Sequence, residues 1–254
     1  MPLVTFTSDF GLTDYYTAAV KAKLYSGNSA VQIIDVSHQI DSFNIAHASY
    51  VLGSVYRDFP ANSVHLVSVG ASSYPQDCVA VLLDDHFFVA ADNGLISLLS
   101  EREPSLIVRL PTVERSNFLG KDVLAPAAAA LSLGKELLEL GTKIKEINRK
   151  IPRQIKANKK LIAGNVIHID KYGNAVTNID QYSFEVLSKE KNYQVVFGRE
   201  HIPKIHRYYH DVELGECVLF FNDRQLLEIS INQGSAAQLL GLRYDSPVYI
   251  YFEN

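Results

Sequence analysis

Apolar and polar positions in the first half of the chain repeat a strand-then-helix order. LVTFT, residues 3–7, is a short apolar run that predicts a buried strand. Residues 13–26 then follow a helical period, with Tyr16, Val20 and Leu24 on one face. Thr13 is placed to cap this helix and Gly27 to stop it. VQIIDVS predicts a second buried strand, and Asn44 to Tyr56 a second amphipathic helix. VHLVSVG, CVAVLL and HFFVAA follow as strands, and Asp122 to Leu133 as an alanine-rich helix. Apolar strands alternating with helices predict an α/β fold, a mostly parallel sheet with flanking helices.

The pattern changes at residues 143–160, where eight of eighteen positions are Lys or Arg and Pro152 interrupts. No aromatic residues are interleaved to stack on bases, so the segment reads as a solvated linker rather than a nucleic-acid site. From Leu161 onward, short strand patterns are separated by turns: LIAGNVIHI, AVTNI, YQVVF, CVLFF, LLEISI and PVYIYF. One short helix, Ser235 to Leu240, lies among them. This predicts a small C-terminal all-β barrel or sandwich, of which the barrel is the expected form. The expected organisation is an α/β domain over 1–145, a basic linker over 146–160 and a β-barrel domain over 161–254.

Composition narrows the function classes. The 254 residues are 47% hydrophobic and 20% charged, ordinary for a globular protein, and the net charge is −4. That balance argues against general nucleic-acid binding or attachment to a membrane surface. Cys78 and Cys217 are far apart with no CxxC, so neither a zinc site nor a disulfide framework is expected. There is no run of membrane-spanning length and no signal-peptide pattern, which makes the cytoplasm the expected location.

Four stretches carry candidate chemistry. In VTFTSDFGLTDYY, Asp9 sits at the carboxyl end of a strand, where open α/β sheets bind ligands. A carboxylate there can accept both hydroxyl protons of a ribose diol. Asp14 falls in the expected first turn of the helix, where a carboxylate also suits the helix N-terminus. In HIDKYGNAVTNID, the plain reading is a hairpin with Gly173 or Asn174 at positive φ. The alternative is a polar pocket: Asp170 for a cation, Asn174 for an amide-type edge such as adenine, and Tyr172 as a stacking face. In SNFLGKDVLAPAAAA, Gly120 permits close backbone approach and Asp122 can cap the following helix. In VHLVSVGASSY, the small residues Ser68, Gly70, Ala71, Ser72 and Ser73 leave room at a strand end. There is neither GxGxxG nor P-loop, so a phosphate-cradling site is not expected.

Taken in order, these stretches resemble the S-adenosylmethionine hydroxide adenosyltransferase family, relatives of fluorinase and chlorinase. TSDFGLTDYY, IIDVSHQIDSFNI, ADNGL, FLGKDVLAPAAAAL, IDKYGNAVTNI and LLEISINQGSAAQLLGL each match a family block. The resemblance implies hydrolysis of S-adenosylmethionine to adenosine and L-methionine by displacement at ribose C5′. It also implies a homotrimer whose sites lie between the N-domain of one subunit and the C-domain of its neighbour, with no cofactor and no metal. By the same carry-over, Asp9 holds the ribose hydroxyls and Phe43 lies near the sugar or sulfonium. Tyr172 and Tyr209 flank the adenine, and Asn174 bonds its edge. Asp14 and Asp170 lie near the methionine end, with Asp170 facing the ammonium, and Arg224 meets the carboxylate.

The family's water-orienting Asp–Arg–His set departs here. Its Asp falls on Ser68, its His on Leu119, and its Arg near Tyr74 to Gln76, where no arginine occurs. Asp223 also stands where the family has serine beside Arg224. Ser68 and Gly120 are left as the candidate nucleophile pocket. Three readings follow: a hydrolase with an altered nucleophile site, a non-catalytic nucleoside-binding protein, and a halide-dependent adenosyltransferase.

Overall fold

A computed structural model describes residues 3–71, 77–111, 113 and 116–253. The chain divides into two units, Met1–Pro152 and Arg153–Asn254.

The first unit contains β1 (Val4–Ser8), α1 (Tyr16–Gly27), β2 (Ile33–Ser37), α2 (Ile45–Gly53), β3 (Val64–Ser68), β4 (Cys78–Leu83), β5 (His86–Ala91), α3 (Leu95–Leu99), β6 (Leu106–Arg109), α4 (Ala125–Ser132) and β7 (Thr142–Lys143). The sheet order is β2-β1-β3-β5-β4-β6-β7. Pairings β2–β1, β1–β3 and β3–β5 are parallel, while β4 and β7 run against their neighbours. One face packs Phe6, Leu66 and Val89 with α1 and α4. The other packs Val67, Phe88 and Ala90 with α2 and α3. The sheet is covered on both sides, as its apolar strands require.

Several local expectations are corrected. α1 begins at Tyr16 and has no side-chain cap, so Thr13 does not cap it and Asp14 precedes the helix. The intervening residues are used by a turn in which Gly11, at φ 70, donates its N–H to the His38 carbonyl at 2.7 Å. β2 is half-exposed rather than buried, because it is an edge strand with β1 as its sheet neighbour. Asp122 does not cap a helix: it lies inside a π-helical turn, Gly120–Leu124, that runs directly into α4. Its carboxylate accepts from the Ser116 hydroxyl at 2.8 Å.

The second unit contains β8 (Lys156–Asn158), β9 (Leu161–Ile169), β10 (Ala175–Asp180), α5 (Gln181–Ser188), β11 (Asn192–Phe197), β12 (Glu200–Ile202), β13 (Cys217–Phe221), β14 (Leu226–Ile231), α6 (Ala236–Leu239) and β15 (Pro247–Glu253). All its pairings are antiparallel. The path β12-β11-β15-β9-β10-β14-β13 curls around one core containing Ile162, Ile179, Phe197, Leu219 and Ile250. β9 pairs β15 along Leu161–Asn165 and β10 beyond Val166, so one strand serves both halves. Among the described residues the end strands β12 and β13 do not pair, leaving the barrel open on one side. Among its described residues the unit holds two α-helices rather than the one expected. α5 lies between strands, and the Asp180 carboxylate caps it by accepting the Ser183 N–H at 2.7 Å.

Candidate functional site

In the first unit the carboxyl ends of β1 and β3 place Asp9 beside two loops. Asp9 Oδ2 accepts the Phe43 N–H at 2.8 Å and the Gly70 N–H at 3.1 Å. Oδ1 has no hydrogen-bond partner among the described residues. One carboxylate oxygen thus holds the loops after β2 and β3, while the other is available to a ligand hydroxyl. Phe43 is at φ 63, a conformation that costs a non-glycine residue about 1–3 kcal/mol, and its side chain is 68% exposed. A strained backbone that presents an uncovered aromatic ring marks a place where the ring has work other than packing. Asp14 is exposed in the same turn.

Two features near this turn were not read from the sequence. Phe10, Tyr16 and Phe118 form an aromatic cluster, with pairwise ring-centroid distances of 5.6, 5.6 and 5.5 Å. Behind the turn, the Ser8 hydroxyl lies 2.8 Å from His38 Nδ1. His38 Nε2 faces the Asp35 carboxylate at 3.1 Å, a good distance with poor hydrogen-bond alignment, and Lys21 binds Asp35 at 2.5 Å. Burial holds His38 below the usual histidine range against the opposing pull of Asp35. A neutral His38 carrying its proton on the Asp35 side accepts from Ser8 at Nδ1.

Ser68 and Gly120 are in direct contact. A Cβ on Gly120 would lie 2.5 Å from Ser68 Oγ, so only glycine allows this approach. The Ser68 hydroxyl is buried and has no hydrogen-bond partner among the described residues. Leu119 is 6% exposed and packs in the core with Phe6 and Leu66. The position where the resemblance expects a histidine is therefore part of the apolar interior. His65 and His86 lie deeper in the sheet, hydrogen-bonded as Thr5–His65–His86 at 2.7 and 3.1 Å. Burial pushes His65 down to about 3. Ser72, Ser73 and the stretch from Tyr74 to Gln76 fall outside the described residues.

The second unit assembles the other predicted residues. Gly173 turns the chain at φ 86. Asp170 Oδ1 accepts the Tyr172 and Asn174 N–H groups, each at 2.9 Å, and Oδ2 accepts from Asn174 Nδ2 at 2.8 Å. Asp170 thus builds the turn and orients Asn174. Asn174 Nδ2 also reaches Tyr209 Oη at 3.2 Å, and Tyr209 donates to Glu228 Oε1 at 2.9 Å. Burial, then the Glu228 charge, pushes the Tyr209 hydroxyl up to about 12. Tyr172 is 79% exposed on the same turn. Arg224 occupies the β13–β14 turn, whose Arg224 and Leu226 N–H groups are held by Asn222 Oδ1 at 3.0 and 3.2 Å. Asp223 beside it is exposed.

Comparison with known proteins agrees across the chain. Residues 4–141 match the SAM hydroxide adenosyltransferase N-terminal domain, and residues 164–249 match its C-terminal domain. An (R)-S-adenosyl-L-methionine hydrolase of Thermus thermophilus is 30% identical, over 96% of this chain and 98% of its own. One from Methanocaldococcus jannaschii is 29% identical, over 99% and 97%. A fluorinase of Actinopolyspora mzabensis is 23% identical, over 95% and 94%. The crystal structure of an uncharacterized conserved protein from Thermotoga maritima superposes with a TM-score of 0.90 at 28% identity, covering 98% of this chain and 100% of that one. The chain belongs to the SAM hydroxide adenosyltransferase family.

Proposed function

We propose that this protein hydrolyses S-adenosylmethionine to adenosine and L-methionine, acting as a cytoplasmic homotrimer in which neighbouring subunits complete each site. The observation that carries the reading is Asp9: one oxygen held by two backbone N–H groups, the other open to a ribose diol. The relatives named as hydrolases support the reaction. Water oxygen bonds to C5′ as the C5′–S bond breaks, and the electron pair leaves on sulfur as neutral methionine thioether. The sulfonium is a good leaving group, so the site must place water in line and take up its proton. In our reading that proton passes through the Ser8 hydroxyl to His38, whose Asp35 partner stabilises the imidazolium. Phe43 faces the sulfonium, Tyr172 and Tyr209 flank the adenine, Asn174 reads its edge, and Arg224 takes the carboxylate. Asp14 is kept for the methionine end. Asp170 acts chiefly through Asn174, since its carboxylate is engaged in the turn.

A second reading, a nucleoside-binding protein without turnover, is favoured by one observation. Ser68 is closed over by Gly120 and Leu119 is core, so the family's nucleophile-orienting positions are filled with packing. Incubation with S-adenosylmethionine in halide-free buffer separates the two. Adenosine and methionine appearing in equal amounts, above the Asp9→Ala background, support the hydrolase. Calorimetric binding without products supports the binder. A rate that rises with added chloride turns both toward halide-dependent transfer.

A further inference from the structure

The block ADNGL, residues 91–95, receives no role from the resemblance, yet its asparagine reaches the loop that holds Asp9. Asn93 follows the carboxyl end of β5, the sheet neighbour of β3. It is half-buried, and both ends of its amide are engaged. Oδ1 accepts the Leu95 N–H at 3.2 Å, at the entry to α3. Nδ2 donates to the Val69 carbonyl at 2.9 Å. One partner needs an acceptor and the other a donor, so the orientation of the amide is imposed.

Val69 and Gly70 form a bend past the end of β3. The Val69 carbonyl and the Gly70 N–H belong to one peptide unit, which is planar and points them to opposite sides. Asn93 holds the oxygen edge. The N–H edge donates to Asp9 Oδ2 at 3.1 Å. Bonds at both edges fix the rotation of the plane, and the bond to the carbonyl strengthens the N–H as a donor. A Cβ on Gly70 would lie 3.5 Å from Asn93 Nδ2 and 3.8 Å from the Phe43 Cα, so three loops converge here.

The Phe43 N–H meets the same Asp9 oxygen at 2.8 Å. A single donor holds that oxygen at a point and leaves the carboxylate free to swing about it. The Gly70 N–H, arriving from another loop, removes the swing. The direction in which Oδ1 faces therefore depends on the Val69–Gly70 peptide, and that peptide is held by Asn93.

We propose that Asn93 is a positioning residue for Asp9: by holding the Val69 carbonyl it keeps the Gly70 N–H on the carboxylate and fixes the direction of the oxygen offered to a ribose diol. This rests on the nucleoside reading of Asp9 given above.

Two variants remove the donor. Asn93→Asp keeps the size of the side chain and the acceptor for Leu95, but sets a carboxylate oxygen against the Val69 carbonyl. Asn93→Ala removes the donor without adding charge.

The test is calorimetric binding of adenosine and 2′,3′-dideoxyadenosine to the full-length protein and to each variant. The wild-type protein is expected to bind adenosine at least about tenfold tighter, as for hydrogen bonds to a charged acceptor. Both variants are expected to bind dideoxyadenosine within about twofold of wild type, while the preference for adenosine falls to within about threefold. A purely structural role for Asn93 would weaken both nucleosides together and leave the preference unchanged. That result in a folded variant overturns this inference alone. In the Asp9→Ala background, Asn93→Ala is expected to leave the preference where Asp9→Ala puts it. A further fall shows a route that bypasses Asp9 and overturns the inference. Amide hydrogen exchange at Gly70 in the wild-type protein needs no variant, and an unprotected Gly70 N–H also overturns it. Equal binding of the two nucleosides to wild type overturns the diol reading of Asp9 and this inference with it.

Discussion

The two units build their candidate subsites from different materials. In the first, main chain does the holding: Asp9 is fixed by the N–H groups of Phe43 and Gly70, and the Phe43 ring is presented by a strained φ of 63. In the second, side chains do it: Asp170, Asn174, Tyr209, Glu228 and Asn222 form one hydrogen-bonded series. A backbone-built site depends on where loops meet and tolerates changes in side chains that do not hold those loops. A side-chain network is sensitive to the proton inventory of every member, because its donors are committed to particular acceptors.

The largest effect expected from this contrast is at Asp9. Asp9→Ala removes both the ligand acceptor and the clasp between two loops, and should lower kcat/KM by about a hundredfold or more, given that charged hydrogen bonds contribute about 1.5–3 kcal/mol each. Steady-state kinetics with S-adenosylmethionine checks it. Activity within threefold of wild type would mean that main chain alone supports the site.

His38→Gln comes next. Glutamine can still accept from Ser8 but cannot take up a proton, so kcat should fall about a hundredfold, as for loss of a general base. The wild-type profile carries the sign. His38 must be neutral to act, and its affinity for a proton is held below the usual histidine range by burial, with Asp35 and Lys21 as the charged groups facing it. The wild-type kcat should therefore be flat near neutrality and fall as pH drops through that lowered value. The variant should lack this acid limb. An unchanged limb in His38→Gln would remove His38 from proton transfer and leave it as a brace for the turn.

A backbone change in the second unit should be costly in stability. In Gly173→Ala the new Cβ would meet the Ser235 hydroxyl at 2.0 Å, and the site sits at φ 86. Overpacking and strain together predict a loss of about 2–4 kcal/mol in urea unfolding. The shift should carry Asn174 with it and weaken adenosine binding.

Phe43→Gly is the smallest and sharpest. Glycine adopts φ 63 without strain, and the lost side chain is already 68% exposed. Stability should change by no more than about 1 kcal/mol, in either direction, while KM for S-adenosylmethionine rises. A folded-state loss well beyond that would make Phe43 a packing residue after all.

The difference between the units also sets what could be read in advance. β1, β3, β4 and β5 are legible because each is a short run rich in apolar and β-branched residues, buried along nearly its whole length. β2 has the same kind of run but lies at a sheet edge, a fact of strand order that no local pattern carries. α5 was missed because QYSFEVLS is short, mixed in character and flanked by strands, although its Asp180 cap was a usable signal. Asp9 and Asn174 stood out as polar residues at strand ends. Glu228 did not, although a carboxylate inside LLEISI was the available clue. Its apolar neighbours Leu227, Ile229 and Ile231 face the core, and Glu228 and Ser230 take the opposite face.

What this chain's sequence determined by itself is therefore its α/β and β-rich halves, their apolar faces and the acids and aromatics at their turns. These follow from periodicity and residue chemistry, which are local. The tertiary structure decided the proton bookkeeping. It closed Ser68 against Gly120, set Leu119 in the core, aligned Ser8 with His38 and Asp35, and turned the Asn174 amide N–H groups toward Asp170 and Tyr209. The physical reason is that a hydrogen bond has direction and a fixed number of partners. Those partners come from residues 30 or more positions apart in several cases, and only folding brings them within 3.1 Å.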